Sequence, residues 1–224
     1  IEYLLDELTY WKGNPFIQPQ INHRISLDYT KNNLSVMLSY NQLNNYFTQL
    51  LDAYKKDYIV MTIKNIGKQK QLALDLIYNK RLTSWWDVSA NIGVYYFINH
   101  LDYESYREDY RRPSCNLSLS NDIQLPAKVR MELSARYASK RQGRSYEVLK
   151  PSGGIDIGLS KRLLRDRLTL SLMITDLLHT ERWDSYGRKG ALNLDIWGHS
   201  ESRQVIFRVH YNFGSRKFET NKNK

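Results

Sequence analysis

VIFRVHYNFG, residues 205–214, can be read as two interleaved sequences. Every second residue gives Val205, Phe207, Val209, Tyr211 and Phe213; between them stand Ile206, Arg208, His210 and Asn212. A β-strand turns successive side chains to opposite faces, so the segment has one apolar and one mostly polar side. In a soluble sheet the apolar side covers a core. In a membrane barrel it turns outward to lipid, and the polar side lines the lumen. These residues fit both, so the decision rests on the rest of the chain.

The same alternation recurs at 24–29, 34–40, 71–78, 86–96, 115–125, 129–137, 155–160 and 168–175, which with the segment above makes nine strands. In 129–137, for example, Val129, Met131, Leu133, Ala135 and Tyr137 share one face, and Arg130, Glu132, Ser134 and Arg136 the other. The connections sort by length. Lys31–Asn33, Asn79–Trp85, Pro126–Lys128 and Leu164–Arg167 are short; those near 44–58, 98–113, 138–152 and 178–201 are long. Short alternating with long is the habit of an outer-membrane up-and-down barrel, with tight periplasmic turns and long outside loops. A Greek-key sandwich has no reason to sort its loops in this way. Aromatics at strand ends (Tyr29, Tyr40, Tyr78, Trp85, Trp86, Tyr137, Phe213) suit a girdle at the lipid–water boundary, although aromatics are also ordinary strand residues. Two stretches have helical spacing: Ile1, Leu4, Leu5 and Leu8, and Leu50, Leu51 and Tyr54. They predict loops with some helical content.

Composition sets outer limits. The chain has 224 residues, 17 Tyr and a net charge of +10. No apolar run approaches the roughly 20 residues of a membrane helix, so any membrane is crossed by strands. The basic residues are scattered rather than gathered into a stripe, which argues for solubility and against nucleic-acid binding. Cys115 is the single cysteine, excluding an internal disulfide. The five histidines (His23, His100, His179, His199, His210) have no metal-ligand spacing, and no Gly-x-Ser-x-Gly occurs. Asp122 and Glu132 face each other across a tight turn, which a polar lumen explains without chemistry. No cofactor, metal or catalytic residue is expected.

The order of segments resembles a known family. Gly13-Asn14-Pro15 with Pro19, in GNPFIQPQINHRISLDY, is similar to the segment that leads into a barrel strand in TonB-dependent outer-membrane receptors. KNNLSVMLSYNQLNNYF and NIGKQKQLALDLIYNKRLTSWWDVSANIGVYY follow in the family's order. LSKRLLRDRLTLSLMITDLLHT resembles its penultimate hairpin, with Asp176-Leu177 where an Asn-Asp pair is usual, and SRQVIFRVHYNFG its last strand. The resemblance spans about residues 13–214 and departs at Gln20, where an acidic residue is usual, and in the tail 215–224. Nothing in the chain resembles the family's plug or its TonB-contacting segment.

The resemblance implies an antiparallel up-and-down transmembrane β-barrel in the cell outer membrane of a diderm bacterium. The partners it implies are outer-membrane lipid, upstream strands and a plug of the same parent chain, and TonB through a further N-terminal part. The expected division is an outside loop over 1–20, barrel strands and loops over 21–214, and a tail over 215–224. With the last strand running down to the periplasm, nine strands place the two ends on opposite sides. Single-chain bacterial barrels have even strand numbers, so an incomplete barrel with further upstream strands is expected. Val205, Phe207, Val209, Tyr211 and Phe213 are assigned to lipid. Arg130, Glu132, Arg136, Arg208, His210 and Asn212 are assigned to the lumen. The alternative is a soluble all-β binding module that contacts sugar or peptide through Tyr-rich loops such as LDYESYREDYRR (101–112).

Overall fold

A computed structural model of the protein describes residues 2–54, 58–103, 106–143, 147–189, 192–198 and 200–213. His199 and the tail 215–224 lie outside the described residues. Nine long strands build the main sheet: β3 (Ile21–Lys31), β4 (Leu34–Tyr54), β5 (Tyr58–Thr83), β6 (Trp86–Tyr103), β7 (Tyr106–Leu125), β8 (Val129–Ala138), β11 (Ser152–Leu163), β12 (Leu168–Thr175) and β15 (Gln204–Tyr211). Each pairs antiparallel with the next, in chain order. β3 pairs only with β4, and β15 only with β12, so among the described residues the sheet does not close on itself. This is the up-and-down order that the period-two segments predict.

Between the bend in the long hairpins and the short turns, register runs unbroken and carries the alternation with it. Leu38, Leu74, Val94 and Cys115 are successive partners, as are Leu133, Ile157, Ile174 and Val205. One face is therefore a continuous apolar band. The other carries rows such as Ser120, Ser134 and Asp156. The sorting has exceptions. Asn121 and Lys161 stand on the apolar face, Ile77 and Ile206 on the polar one. Asn121 is satisfied locally, accepting a hydrogen bond of 3.1 Å from the Trp86 indole.

The outer portions correct the sequence reading. The stretches near 44–58 and 98–113 are largely strand, because β4–β5 and β6–β7 continue as long hairpins. Leu50, Leu51 and Tyr54 thus belong to β4, not to a helical turn. The first residues are not helical either. β1 (Glu2–Leu4) and β2 (Thr9–Lys12) form a small hairpin, and β2 pairs parallel with β5, Thr9 opposite Ile59. An i, i+3, i+4 spacing on so short a segment yields to the backbone hydrogen bonds that an existing strand offers. The segments near 138–152 and 178–201 contain a second, four-stranded sheet: β9 (Arg141–Gln142), β10 (Glu147–Leu149), β13 (Ser185–Lys189) and β14 (Leu192–Ile196). The last strand ends at Tyr211, and Phe213 lies beyond it.

The long hairpins bend at one level. Asn45 has φ 53° and interrupts the register of β4; opposite it, Gly67 of β5 has φ +131°. A Cβ on Gly67 would stand 2.1 Å from the carbonyl oxygen of His100, so only glycine allows this approach. Residues 13–20 cross the hairpin at the same level. Asn14 donates from Nδ2 to the Ile63 carbonyl (3.1 Å). Asn65 accepts from the Gln18 N–H (2.8 Å) and donates back to the Gln18 carbonyl (3.0 Å) and to that of Asn45 (2.8 Å). The Gly-Asn-Pro segment is therefore a strap, clamped where the hairpin turns, that delivers the chain to β3. Beyond the bend, Leu50, Ile66 and Leu101 form a small buried core with Tyr46 and Tyr110 against it.

Candidate functional site: the concave polar face

The burial pattern along β6 runs opposite to that of a soluble sheet. Ile92, Val94, Tyr96 and Ile98 are exposed, whereas Gly93 and Asn99 are buried. The last strand shows the exposed side at its fullest: Val205 is 69%, Phe207 66% and Val209 57% exposed. Tyr211 and Phe213 meet edge to face, ring centroids 4.6 Å apart, on that same side.

The polar face is the concave one. Side chains from six neighbouring strands, among them Arg81, Asp87, Asp122, Arg130, Ser160 and Thr169, line a single hollow of about 670 Å³ at the short-turn end. One hollow touches that many adjacent strands only if the sheet curves around it. Arg81 pairs with Asp87 at 2.9 Å. Arg130 pairs with Asp122 and, at 3.3 Å, with Glu132. Arg208 and His210 continue this face across β12, opposite Ser171 and Thr169, and Asn212 donates its backbone N–H to the Arg167 carbonyl at 2.8 Å.

Toward the long-loop end, the face is tied together by polar networks. The Tyr95 side chain lies back over Gly93 and donates to Asp75 at 2.7 Å; a Cβ on Gly93 would stand 2.2 Å from that hydroxyl oxygen. Gln69 donates to Asn99 at 2.7 Å. Arg136 bridges Asp156 and Glu181. Just past β12, Asp176 is fully enclosed, and its carboxylate accepts from the Ser202 hydroxyl (2.7 Å) and the Thr180 (2.9 Å) and Glu181 (3.1 Å) N–H groups. Burial alone pushes that carboxyl up. The Ser202 hydroxyl, the two backbone donors and the nearby His179 outweigh it and hold the group below its ordinary value. Sequence reading placed Arg136 on this face but missed Asp176 as an acceptor, because its side-chain partner Ser202 lies 26 residues away and its near partners, Thr180 and Glu181, offer backbone N–H groups that leave no residue signature.

Among the described residues, three buried polar atoms on this face have no hydrogen-bond partner: Asn41 Oδ1, Asn99 Nδ2 and Arg112 Nη1. Asn41 and Arg112 stand in one register row, through Gln71 and Phe97, and Asn99 is one step away. Among the described residues, no group of His, Cys, Asp and Glu could hold a metal ion.

Comparison with known proteins agrees with this geometry. The family model described as an outer membrane protein beta-barrel family matches residues 1–211. No curated protein and no solved structure matches the chain.

Proposed function

Because the chain belongs to the outer membrane protein beta-barrel family, we propose that it forms the C-terminal wall of a TonB-dependent receptor-like transporter. Membership places it in the bacterial outer membrane. The observation that carries the reading is the inverted sheet: apolar side chains exposed on one face, ion pairs and buried amides on the concave other face. In this reading Val205, Phe207, Val209, Tyr211 and Phe213 face lipid, and Arg130, Glu132, Arg136, Arg208, His210 and Asn212 face the lumen. A soluble binding module does not fit an outer-membrane chain. The Tyr-rich 101–112 stretch sits in the β6–β7 hairpin, with Tyr110 packed on its small core.

Hydrocarbon cannot satisfy the free backbone groups of β3 and β15. Further strands of the same parent chain would pair with both edges. Arg81, Asp87, Asp122 and Arg130, which line the concave hollow, would meet a plug or a passing solute. The strap at 13–20 supports the receptor reading, since the segment that carries the resemblance also fixes how the chain enters β3. The outer hairpins and second sheet would capture ligand, with passage rather than chemistry as the result.

The test is binding of the full natural chain, in detergent, to the periplasmic domain of TonB. Saturable binding to that domain supports the receptor reading. A full-length chain that folds in the outer membrane yet shows no TonB binding overturns it and leaves a passive barrel.

A further inference from the structure

The exposed apolar face ends differently at its two rims, and the difference points to a lipid of particular chemistry. Tyr40, Leu72, Tyr96 and Pro113 form one register row at the long-loop edge of the apolar band. The next row outward on the same face is His23, Gln42, Lys70, Ile98 and Arg111. The row after that holds Asn44, Lys68, His100 and Asp109. Lys68, Lys70 and Arg111 are exposed, and their side chains make no hydrogen bond or ion pair among the described residues. Asp109, the one carboxylate in these rows, is engaged by His100. Strand geometry puts Lys68 and Lys70 roughly 7 Å apart along β5, with Arg111 roughly 10 Å away across β6.

Beside these cations runs a ladder of neutral hydrogen-bonding groups. The Tyr40 hydroxyl donates to Gln42 Oε1 at 3.0 Å, and Gln42 Nε2 donates to Asn44 Oδ1 at 3.1 Å. Each link uses part of an amide and leaves donors and acceptors free for a sugar hydroxyl. At the short-turn rim the same face carries Lys31, Lys80 and Lys161, each on a different strand and each opposite aliphatic residues such as Leu34, Val88 and Leu170. Isolated lysines of that kind reach past the band individually. The outer three are clustered.

We propose that Lys68, Lys70 and Arg111, with the Tyr40–Gln42–Asn44 ladder, bind the phosphorylated sugar head group of an anionic glycolipid in the outer leaflet. The proposal rests on the reading that the apolar face lies in lipid. Acyl chains then run along Leu72, Leu74 and Val94 while the phosphates meet the cations one step outward. A free phosphate or soluble sugar phosphate gains nothing from the adjoining apolar band, which is why the site fits a lipid-borne head group.

The probe is bis-phosphorylated lipid A, compared with its dephosphorylated form. Each is added to the full natural chain after delipidation in detergent and quantified by native mass spectrometry. The wild type is expected to prefer the phosphorylated form by on the order of a hundred-fold, given three cations near the membrane surface. K68Q/K70Q/R111Q should lose that preference, and K31Q/K80Q/K161Q should keep it. Lys70→Gln alone, a single change at an exposed position, should weaken it several-fold even if the triple variant folds poorly. Millimolar inorganic phosphate should not compete. Equal binding of the two lipids to the wild type, or a preference that survives in the outer triple variant or in Lys70→Gln, overturns the proposal. So does displacement by inorganic phosphate, which would mark an anion site without lipid. Failure of the underlying reading looks different: the chain would stay soluble without detergent and bind neither lipid.

Discussion

Below Gly67, strands β5 and β6 leave Leu72, Val94, Tyr96 and Ile98 exposed and enclose Gly93 and Asn99. Beyond it, the continuing hairpins enclose Leu50, Ile66 and Leu101, none more than 3% exposed. The backbone is β-ladder in both regions, antiparallel apart from the short parallel pairing of β2 with β5, so secondary structure is not what differs. The difference lies in which surface is left for an apolar solvent. On the proposed reading hydrocarbon covers the aliphatic face of the band, and the chain there needs no core of its own. In the outer region water surrounds the hairpins, and aliphatic residues must cover one another. The bend at Asn45 and Gly67 marks the change of rule.

The comparison breaks most visibly if Leu101 is truncated. Leu101→Ala should cost about 2–5 kcal/mol of outer-hairpin stability, as a cavity in a water-bounded core does. Hydrogen exchange should show the loss confined to the outer parts of β4 to β7, with the band unaffected. Uniform loosening of the whole sheet would mean that the two regions are one cooperative unit.

Exposure alone then predicts the wrong answer for a matched pair. Val209 is 57% and Leu8 56% exposed. Val209→Arg should cost about 1–2 kcal/mol when folding into lipid vesicles, part of the roughly 2–4 kcal/mol penalty at mid-bilayer, because Val209 shares the register row of Leu170 and Lys161 toward the short-turn rim. Leu8→Arg, in the outer turn, should stay within about 0.5 kcal/mol. Arg208→Ser, one residue from Val209 but on the polar face, should also be tolerated. Equal damage at 208 and 209 would remove the assignment of faces.

The third measurement sharpens the boundary through pH. Asp176 sits past the end of β12 with its carboxyl held below the ordinary value. A depressed folded value means that its stabilisation is complete above the unfolded carboxylate value. That stabilisation is lost as pH falls through the lower, folded one. Ser202→Ala removes a hydrogen bond to a charged acceptor, worth about 1.5–3 kcal/mol. The acid midpoint for release of the 176–202 segment should therefore move to higher pH. An unchanged acid midpoint would show that Asp176 does not hold the turn.

These contrasts explain what could be read in advance. The band was legible because a single solvent boundary imposes period two on every strand that crosses it, and Val205 to Phe213 display that rule in one segment. Glu132 and Arg208 could be placed on the polar face by counting alone. Beyond the bend the signal fades for a physical reason: Leu50 and Ile66 pack against neighbours of the same region, and the extra residues at Asn45 and Ile66 break the phase. The second sheet was invisible because its strands hold only two to five residues. Asp176 could not be identified from spacing, since its burial depends on Ser202 closing over it from 26 residues away, while its local partners Thr180 and Glu181 contribute only backbone N–H groups.

The strap at 13–20 also has a mechanical meaning. Its two-way clamp, Gln18 N–H to Asn65 and Asn65 back to the Gln18 carbonyl, lies across the β4–β5 hairpin rather than along a strand edge. Tension applied to the chain ahead of β3 reaches Asn14 and Asn65 before it reaches the first β3–β4 pair, Ile21 with Asn44. The clamp must shear before the strand can be unzipped. Asn65, held at the bend by the carbonyl of the bulged Asn45, thereby serves as an anchor point that shields the edge of the sheet from load.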